Sequence, residues 1–390
     1  MLGMTDQTVD FYAVDDLLTA GERDVRERVR AFVETEVLPV ANDYWQRGEP
    51  ARPLLPKLGA LGVVGGTIPG FGCPGLSSVA AGLVQMELAR GDGSLATIVA
   101  AHAGLAMATV YHCGSPDQRE RWLPAMARFE KVGAWALTEP DVGSDARAIQ
   151  TRAVRDGDGW VLDGRKRWTG NATFADLVVV WARTDEGHGA FVVENGTPGF
   201  RVAVIEGKPL MRAVPQADIT LDGCRVPAAS RLANAGAFRD ATQVLVGGRL
   251  GIAWGALGHA VACYELALAY AKERKQFGKP LAAFQLVQEK LARMLAEVTA
   301  MQLLVWRASR LADAGRLTPA MAALAKMNNA AKARRIAADA RDLLGGNGIL
   351  LEHQVIRHML DLEGVFTYEG TDSINALVVG RELTGIAAFA

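Results

Sequence analysis

The sequence predicts an α+β chain in three blocks, helical, then β, then helical, and three observations predict it. Apolar residues recur at helical spacing up to about residue 132. Short β-branched and aromatic segments separated by Gly/Asp turns fill about 133–235. From 236 to 390 the helical period returns in long pieces. A chain of 390 residues exceeds one ordinary core, so 1–132, 133–235 and 236–390 are expected as an N-terminal α-helical, a middle β-barrel and a C-terminal helical-bundle domain.

In the first block Thr19-x-x-Glu22 is a capping box that opens a helix through Val25, Val29, Phe32, Val33 and Val37, expected to stop near Pro39. A second helix fits Leu54–Leu61. Residues 65–75 are too rich in Gly and Pro for regular structure. Helical patterns cover Ser77–Ala89 and Leu95–Tyr111, and Ser115-Pro116, a cap followed by Pro at the first helical position, starts another through Trp122 and Met126.

In the middle block Ala134–Thr138, Thr151–Arg155, Trp160–Leu162, Leu177–Arg183, Ala190–Val193, Phe200–Ile205 and Asp218–Leu221 read as strands. Turns such as Asp156-Gly157-Asp158-Gly159 separate them, which predicts a small antiparallel barrel or sandwich. Strands do not alternate with helices, so a Rossmann domain is excluded. The last block predicts three long helices, Phe238–Lys272, Phe284–Ala314 and Thr318–Leu344, joined by short connectors as an antiparallel bundle, with shorter helices over His353–Leu362 and Ser373–Ala388.

The bulk numbers exclude several function classes. A net charge of −1 supplies no basic field for nucleic acid or an anionic membrane. The four cysteines are far apart and the six histidines show no ligand spacing, so reduced thiols, a cytoplasmic location and no metal are expected. An N-terminus carrying Asp6, Asp10, Asp15 and Asp16 lacks an apolar stretch, and no run reaches the ~18 apolar residues of a membrane span.

Chemistry-bearing candidates lie in five stretches. Thr367–Asn375 holds Glu369 before Gly370, which permits a sharp turn, and Thr371, which can cap the next helix; the turn could present Glu369 as a general base. A glutamate before a turn is ordinarily solvated surface, so the other stretches decide. Trp135–Asp145 leaves a strand into a Gly/Ser/Asp loop whose amides and Thr138 and Ser144 hydroxyls could bind a polar ring or a phosphate, or form a plain connection. Trp168, after a hairpin, could stack on a planar cofactor or fill core. Glu273–Pro280 offers basic residues to a pyrophosphate, or simply ends a helix. Leu344-Gly345-Gly346-Asn347-Gly348 lets backbone amides approach a phosphate, or caps a helix.

Together, Leu137-Thr138-Glu139-Pro140 with Gly143-Ser144-Asp145, Arg274-x-Gln276-Phe277-Gly278, Leu344–Gly348 and Tyr368-Glu369-Gly370-Thr371 resemble the acyl-CoA dehydrogenase family over nearly the whole chain. Gly72–Ser77, Gly251–Trp254 and Gly380–Ile386 look like the branch holding glutaryl-CoA dehydrogenase and the plant peroxisomal short-chain acyl-CoA oxidase. The resemblance implies an FAD flavoprotein of fatty acid metabolism that forms a trans-2 double bond in an acyl-CoA. Glu369 would remove the α-proton, and the β-hydrogen would leave as hydride to flavin N5. Trp135, Leu137, Thr138, Gly143 and Ser144 would then line the flavin and its phosphates, with Ser144 also near CoA. Trp168, Thr169 and Gly170 would flank the isoalloxazine. Arg274, Phe277, Gln285, Asp342, Leu344, Gly345 and Gly346 would reach the FAD of a neighbouring subunit in a homotetramer. Thr371 and Ser373 would contact the cofactor near the base, and Arg249 and Gly370 would support the acyl-CoA.

Three departures from the family pattern stand out. Gly170 occupies a position where many members carry a Thr that bonds the flavin edge, although the plant oxidase also has Gly. Asp342 stands where many have Gln, and the glutaryl-CoA branch shares the Asp. Ala96 stands where glutaryl-CoA dehydrogenase places the Arg that binds its substrate's distal carboxylate. Burying that carboxylate without a cation is costly, so a short, uncharged acyl chain is expected. Electron-transfer flavoprotein is the expected acceptor. The alternatives are an oxidase using O2, with the Ala388-Phe389-Ala390 ending lacking a peroxisomal signal, a glutaryl-CoA dehydrogenase, and a non-catalytic acyl-CoA or acyl-carrier binding protein.

Overall fold

The computed structural model describes residues 9–388, so Asp6 and the Phe389-Ala390 ending lie outside the described residues. Helix α1 (Ala20–Phe32) starts at the expected capping box: Glu22 N–H donates to Thr19, and Thr19 N–H to Glu22 at 2.8 Å. The expected stop at Pro39 is corrected. A π turn over Val33–Val37 leads into α2 (Leu38–Arg47), so Pro39 sits at a new helical start. There its missing N–H and fixed φ cost little. Helix α3 is Leu54–Ala60. The Gly/Pro stretch holds two-residue strands β1 (Pro69–Gly70) and β2 (Cys73–Pro74). Helices α4 (Ser78–Gly91), α5 (Gly93–Val99), α6 (Ala108–Cys113) and α7 (Pro116–Ala127) complete the first block, and a π turn over Ala100–Met107 joins α5 to α6.

All seven middle segments are strands: β3 (Gly133–Ala136), β4 (Arg152–Asp156), β5 (Gly159–Gly170), β6 (Leu177–Thr184), β7 (Gly187–Glu194), β8 (Phe200–Val204) and β9 (Gln216–Pro227). They form one sheet in the order β3-β6-β4-β5-β9-β8, with β7 on β6. The expected closed antiparallel barrel is corrected. The sheet is open and mixed, because β3 and β4 both run parallel to β6. Its core of Trp160, Leu162, Val178, Val180, Phe191 and Ile219 lies on the inner face of the curl.

The C-terminal block is α8 (Phe238–Glu273), α9 (Gln285–Asp313), α10 (Pro319–Leu343), α11 (Val355–Thr367) and α12 (Asp372–Thr384), with a hairpin of β10 (Lys275–Gln276) and β11 (Lys279–Pro280) between α8 and α9. Helix α8 is 36 residues, about 54 Å long. Its small residues Ala253, Gly255, Ala256, Gly258 and Ala260 let α4 approach closely: a Cβ on Gly258 would meet the Met86 carbonyl at 2.1 Å. Segments 93–113 and 238–273 are long and apolar enough to cross a membrane by composition, but most of each is buried inside the fold, as in the core helices of a soluble protein.

Candidate functional site

The last two helices meet at a strained corner. Helix α11 ends at Thr367, Glu369 takes φ +55° and Gly370 φ +84°, and the Thr371 hydroxyl accepts the Ile374 N–H to start α12. A left-handed glutamate costs about 1–3 kcal/mol and persists only where its surroundings over-determine it. Here they do. Arg249 Nε of α8 donates to the Glu369 carbonyl at 3.3 Å. Lys326 Nζ of α10 donates to Phe366 O at 3.0 Å and Gly370 O at 2.8 Å. Asn375 Nδ2 of α12 donates to Gly370 O at 2.7 Å and Thr371 O at 3.2 Å.

The Glu369 carboxylate lies flat over Gly248 of α8, whose missing Cβ would fall 3.1 Å from Oε2 and 3.3 Å from Oε1. Oε2 is buried and has no hydrogen-bond partner. Burial raises the Glu369 pKa from 4.5 to about 7, against the pull of Arg249 and Lys326. Burial likewise holds Lys326 down at about 8, with Glu369 and Asp372 opposing. The Tyr368 phenol, pushed up by burial, hydrogen-bonds Thr97 of α5. A half-buried glutamate with an unpartnered oxygen and a pKa near neutrality has the attributes of a general base.

A second group of residues is stitched together in the sheet. Arg167 N–H donates to Thr138 O at 2.8 Å, and buried Lys166 reaches Leu137 O at 3.0 Å and Glu139 at 2.8 Å. Glu139 also accepts Gln150 and Thr151 N–H, which anchors the loop carrying Gly143 and the exposed Ser144. The β5–β9 register shifts between Lys166 and Thr169, and this bulge re-aims Trp168 outward at φ +61°, 50% exposed. Trp168 is therefore exposed and not core. Thr169 Oγ1 beside it is buried without a partner, Trp135 Nε1 donates to Thr109 at 3.0 Å, and Gly170 faces Gln216 across the strands.

The third group shares one end of the bundle. Arg274 and Gln285 are exposed, and Phe277 is left-handed and 92% exposed on its hairpin. Asp342 pairs with Lys290 at 2.5 Å, with Leu344 buried beneath the open glycines 345 and 346. Among the described residues no hydrogen bond or ion pair joins this end to the sheet group. Ser373 is exposed on the first turn of α12. No cluster of metal-ligating side chains exists among the described residues.

Three family descriptions match in sequence order. The N-terminal domain of acyl-CoA dehydrogenase covers 19–130, the middle domain 134–224 and the C-terminal domain 236–384. The chain belongs to the acyl-CoA dehydrogenase family. It is 36% identical to the mitochondrial short-chain specific acyl-CoA dehydrogenase of Bos taurus, over 92% of this chain and 89% of that one. It is 34% identical to the short-chain specific enzyme of Clostridium acetobutylicum, over 95% and 100%. Among solved structures, a glutaryl-CoA dehydrogenase from Mycobacterium smegmatis superposes at TM-score 0.96, 43% identical, over 98% of this chain and 99% of that one. A second glutaryl-CoA dehydrogenase structure from that organism, in complex with FADH2, gives 0.97 at 40%, over 99% and 100%. A chain from the electron transferring flavoprotein structure of Acidaminococcus fermentans gives 0.91 at 33%, over 94% and 98%.

The protein is an oxidoreductase of this family and its cofactor is FAD. The sheet group fits that cofactor. Trp168 offers an exposed ring, Thr169 Oγ1 an unused hydroxyl, and Gly143 open space beside a polar loop. Sequence reasoning missed Lys326, Gly248 and Asn375. A signal for Lys326 existed: it falls on the apolar stripe of α10 with Ala322, Asn329, Ala333 and Ile336, where a solvated lysine does not belong.

Proposed function

We propose that this protein is a dehydrogenase of a short-chain, uncharged acyl-CoA, with Glu369 as the base that takes the α-proton. The observation that carries this reading is the buried, unpartnered Oε2 of Glu369 on a corner clamped from three helices. The α-proton moves to Glu369 as the C2–C3 double bond forms. FAD, when bound, supplies the acceptor for the β-hydrogen that leaves as hydride. The raised Glu369 pKa strengthens a carboxylate that is otherwise too weak a base for a thioester. Trp135, Leu137, Thr138, Gly143, Ser144, Trp168, Thr169, Gly170, Thr371 and Ser373 would hold the flavin and its phosphates. Ser144, Arg249 and Gly370 would support the acyl-CoA.

The uncharged chain follows from the α5 wall. Between Gly93 and Met107 the sole titratable side chain is His102. Burial lowers its pKa to about 4, and its ring nitrogens are used on Met126 O and Gly133 N–H, so it is neutral and occupied. Ala96 is buried there. Nothing in that wall would balance a distal carboxylate. The short-chain specific relatives support the same substrate class, against the structural likeness to glutaryl-CoA dehydrogenases.

The exposed group at the bundle end, Arg274, Phe277, Gln285, Asp342, Leu344, Gly345 and Gly346, would complete the FAD site of a neighbouring subunit in a homotetramer. Electron-transfer flavoprotein is the proposed acceptor and the cytoplasm the proposed location. The test is anaerobic bleaching of the bound flavin by a panel of acyl-CoAs. Butyryl-CoA should bleach it and glutaryl-CoA should not; preference for glutaryl-CoA would overturn the substrate assignment, and hydrogen peroxide release in air would replace the acceptor by oxygen.

A further inference from the structure

The Lys326 side chain is fully buried on α10, yet among the described residues it forms no ion pair within hydrogen-bond reach; its two hydrogen-bond partners are main-chain carbonyls. Those carbonyls are Phe366 O, in the last turn of α11, and Gly370 O, directly after the base. The ammonium thus spans the corner and ties its two ends to one helix. Gly370 O is shared with Asn375, and Arg249 takes the Glu369 carbonyl from the opposite helix. A buried cation is costly, and neutral hydrogen-bond donors would satisfy two carbonyls more cheaply. The charge itself therefore needs a reason, and the acid that acts on it most strongly is Glu369, ahead of Asp372.

We infer that Lys326 is a positioning residue for the proton transfer. It holds the left-handed Glu369–Gly370 corner in place, and its charge keeps the carboxylate ionised in a pocket that would otherwise protonate it. This rests on the reading of Glu369 as the base. The charged and titratable groups facing the carboxylate are Arg249 from α8, Lys326 from α10, Tyr368 just after α11 and, beyond the lysine, Asp372 from α12. Arg249 and Lys326 both favour the anion, so removing either raises the affinity of Glu369 for its proton.

The test uses the FAD-loaded enzyme and three variants: Lys326→Met, close to isosteric and uncharged; Lys326→Arg, which keeps the charge; and Glu369→Gln. Lys326→Met should bind FAD and acyl-CoA as the wild type does but lose kcat by about 10–100-fold, because a shifted base misses the α-carbon. The acid limb of its kcat/KM profile should move up by about one pH unit. Lys326→Arg should keep that limb at the wild-type position. A limb unmoved in Lys326→Met, or moved equally in both lysine variants, would reduce Lys326 to packing and overturn the inference. So would loss of folded flavoprotein in both. Glu369→Gln separates the two levels: if it still bleaches flavin at the wild-type rate the assignment of the base fails, whereas an inactive Glu369→Gln beside an unaffected Lys326→Met sinks the lysine alone.

Discussion

At the Glu369 corner the carbonyls of Phe366, Glu369, Gly370 and Thr371 are each held by a side chain, from α8, α10 or α12. At the bundle end the opposite holds: Phe277 is 92% exposed, Leu286 79% and Ile349 57%, around glycines with open space beside them. The first region is finished by one chain. The second presents apolar and basic groups that this chain leaves uncovered, the kind of surface that the proposed neighbouring subunit would cover. On the proposed reading, base geometry would be fixed before substrate or cofactor arrives, while cofactor retention would depend on assembly.

The strongest way to break this contrast is Glu369→Gln. Removing the base is expected to lower kcat by at least ~10²–10⁴-fold with the flavin spectrum intact. Measured bleaching within tenfold of wild type would show that the corner does not house the base. Next is Gly248→Ala, whose methyl would press 3.1 Å from Oε2. The carboxylate must move, and a kcat loss of about 10–100-fold with little change in acyl-CoA affinity is expected. Equal rates would mean that the carboxylate has slack and the corner is not tightly preorganised.

How much of this was legible beforehand differs between the regions for a physical reason. Helix and strand positions followed from local periods, so all seven strands and the long helices fell near their expected places. Closure of the sheet did not, because the parallel pairing of β3 and β4 with β6 joins residues far apart in sequence, with nothing local to mark it. The π turn before Pro39 was equally silent. Glu369, Thr371 and Arg249 came from motif and resemblance. Gly248 matters only through what lies across from it, whereas Lys326 had a signal in its place on the α10 stripe, which marks it as buried but does not say which corner it reaches. Trp168 shows the converse: the residue type left platform and core open, and a one-residue bulge that turns the ring outward decided against core.

Buried strain at the corner also has a stability signature. Glu369 binds its proton more tightly in the folded protein, about 7 against 4.5, so the stability linked to it is full below pH 4.5 and lost as pH rises through about 7. Glu369→Gln should therefore melt a few degrees above wild type at pH 8, with the gap closing toward pH 5. A variant that is less stable at pH 8 would mean the carboxylate is not held at a cost.

The smallest effect is expected at the open end, and it sharpens the contrast from the other side. Phe277 touches Phe284, ring centroids 6.1 Å apart, and is otherwise bare on a left-handed residue of the β10–β11 hairpin. Truncating it removes no core, so Phe277→Ala should leave the melting temperature of dilute, FAD-free protein within about a degree, as surface substitutions do. If a neighbouring subunit's FAD rests on this ring, the same variant should lose flavin several-fold faster on dilution and shift toward smaller species in light scattering. A lower melting temperature with flavin release unchanged would place Phe277 in the fold of its own chain. The bundle end would then be as self-sufficient as the Glu369 corner.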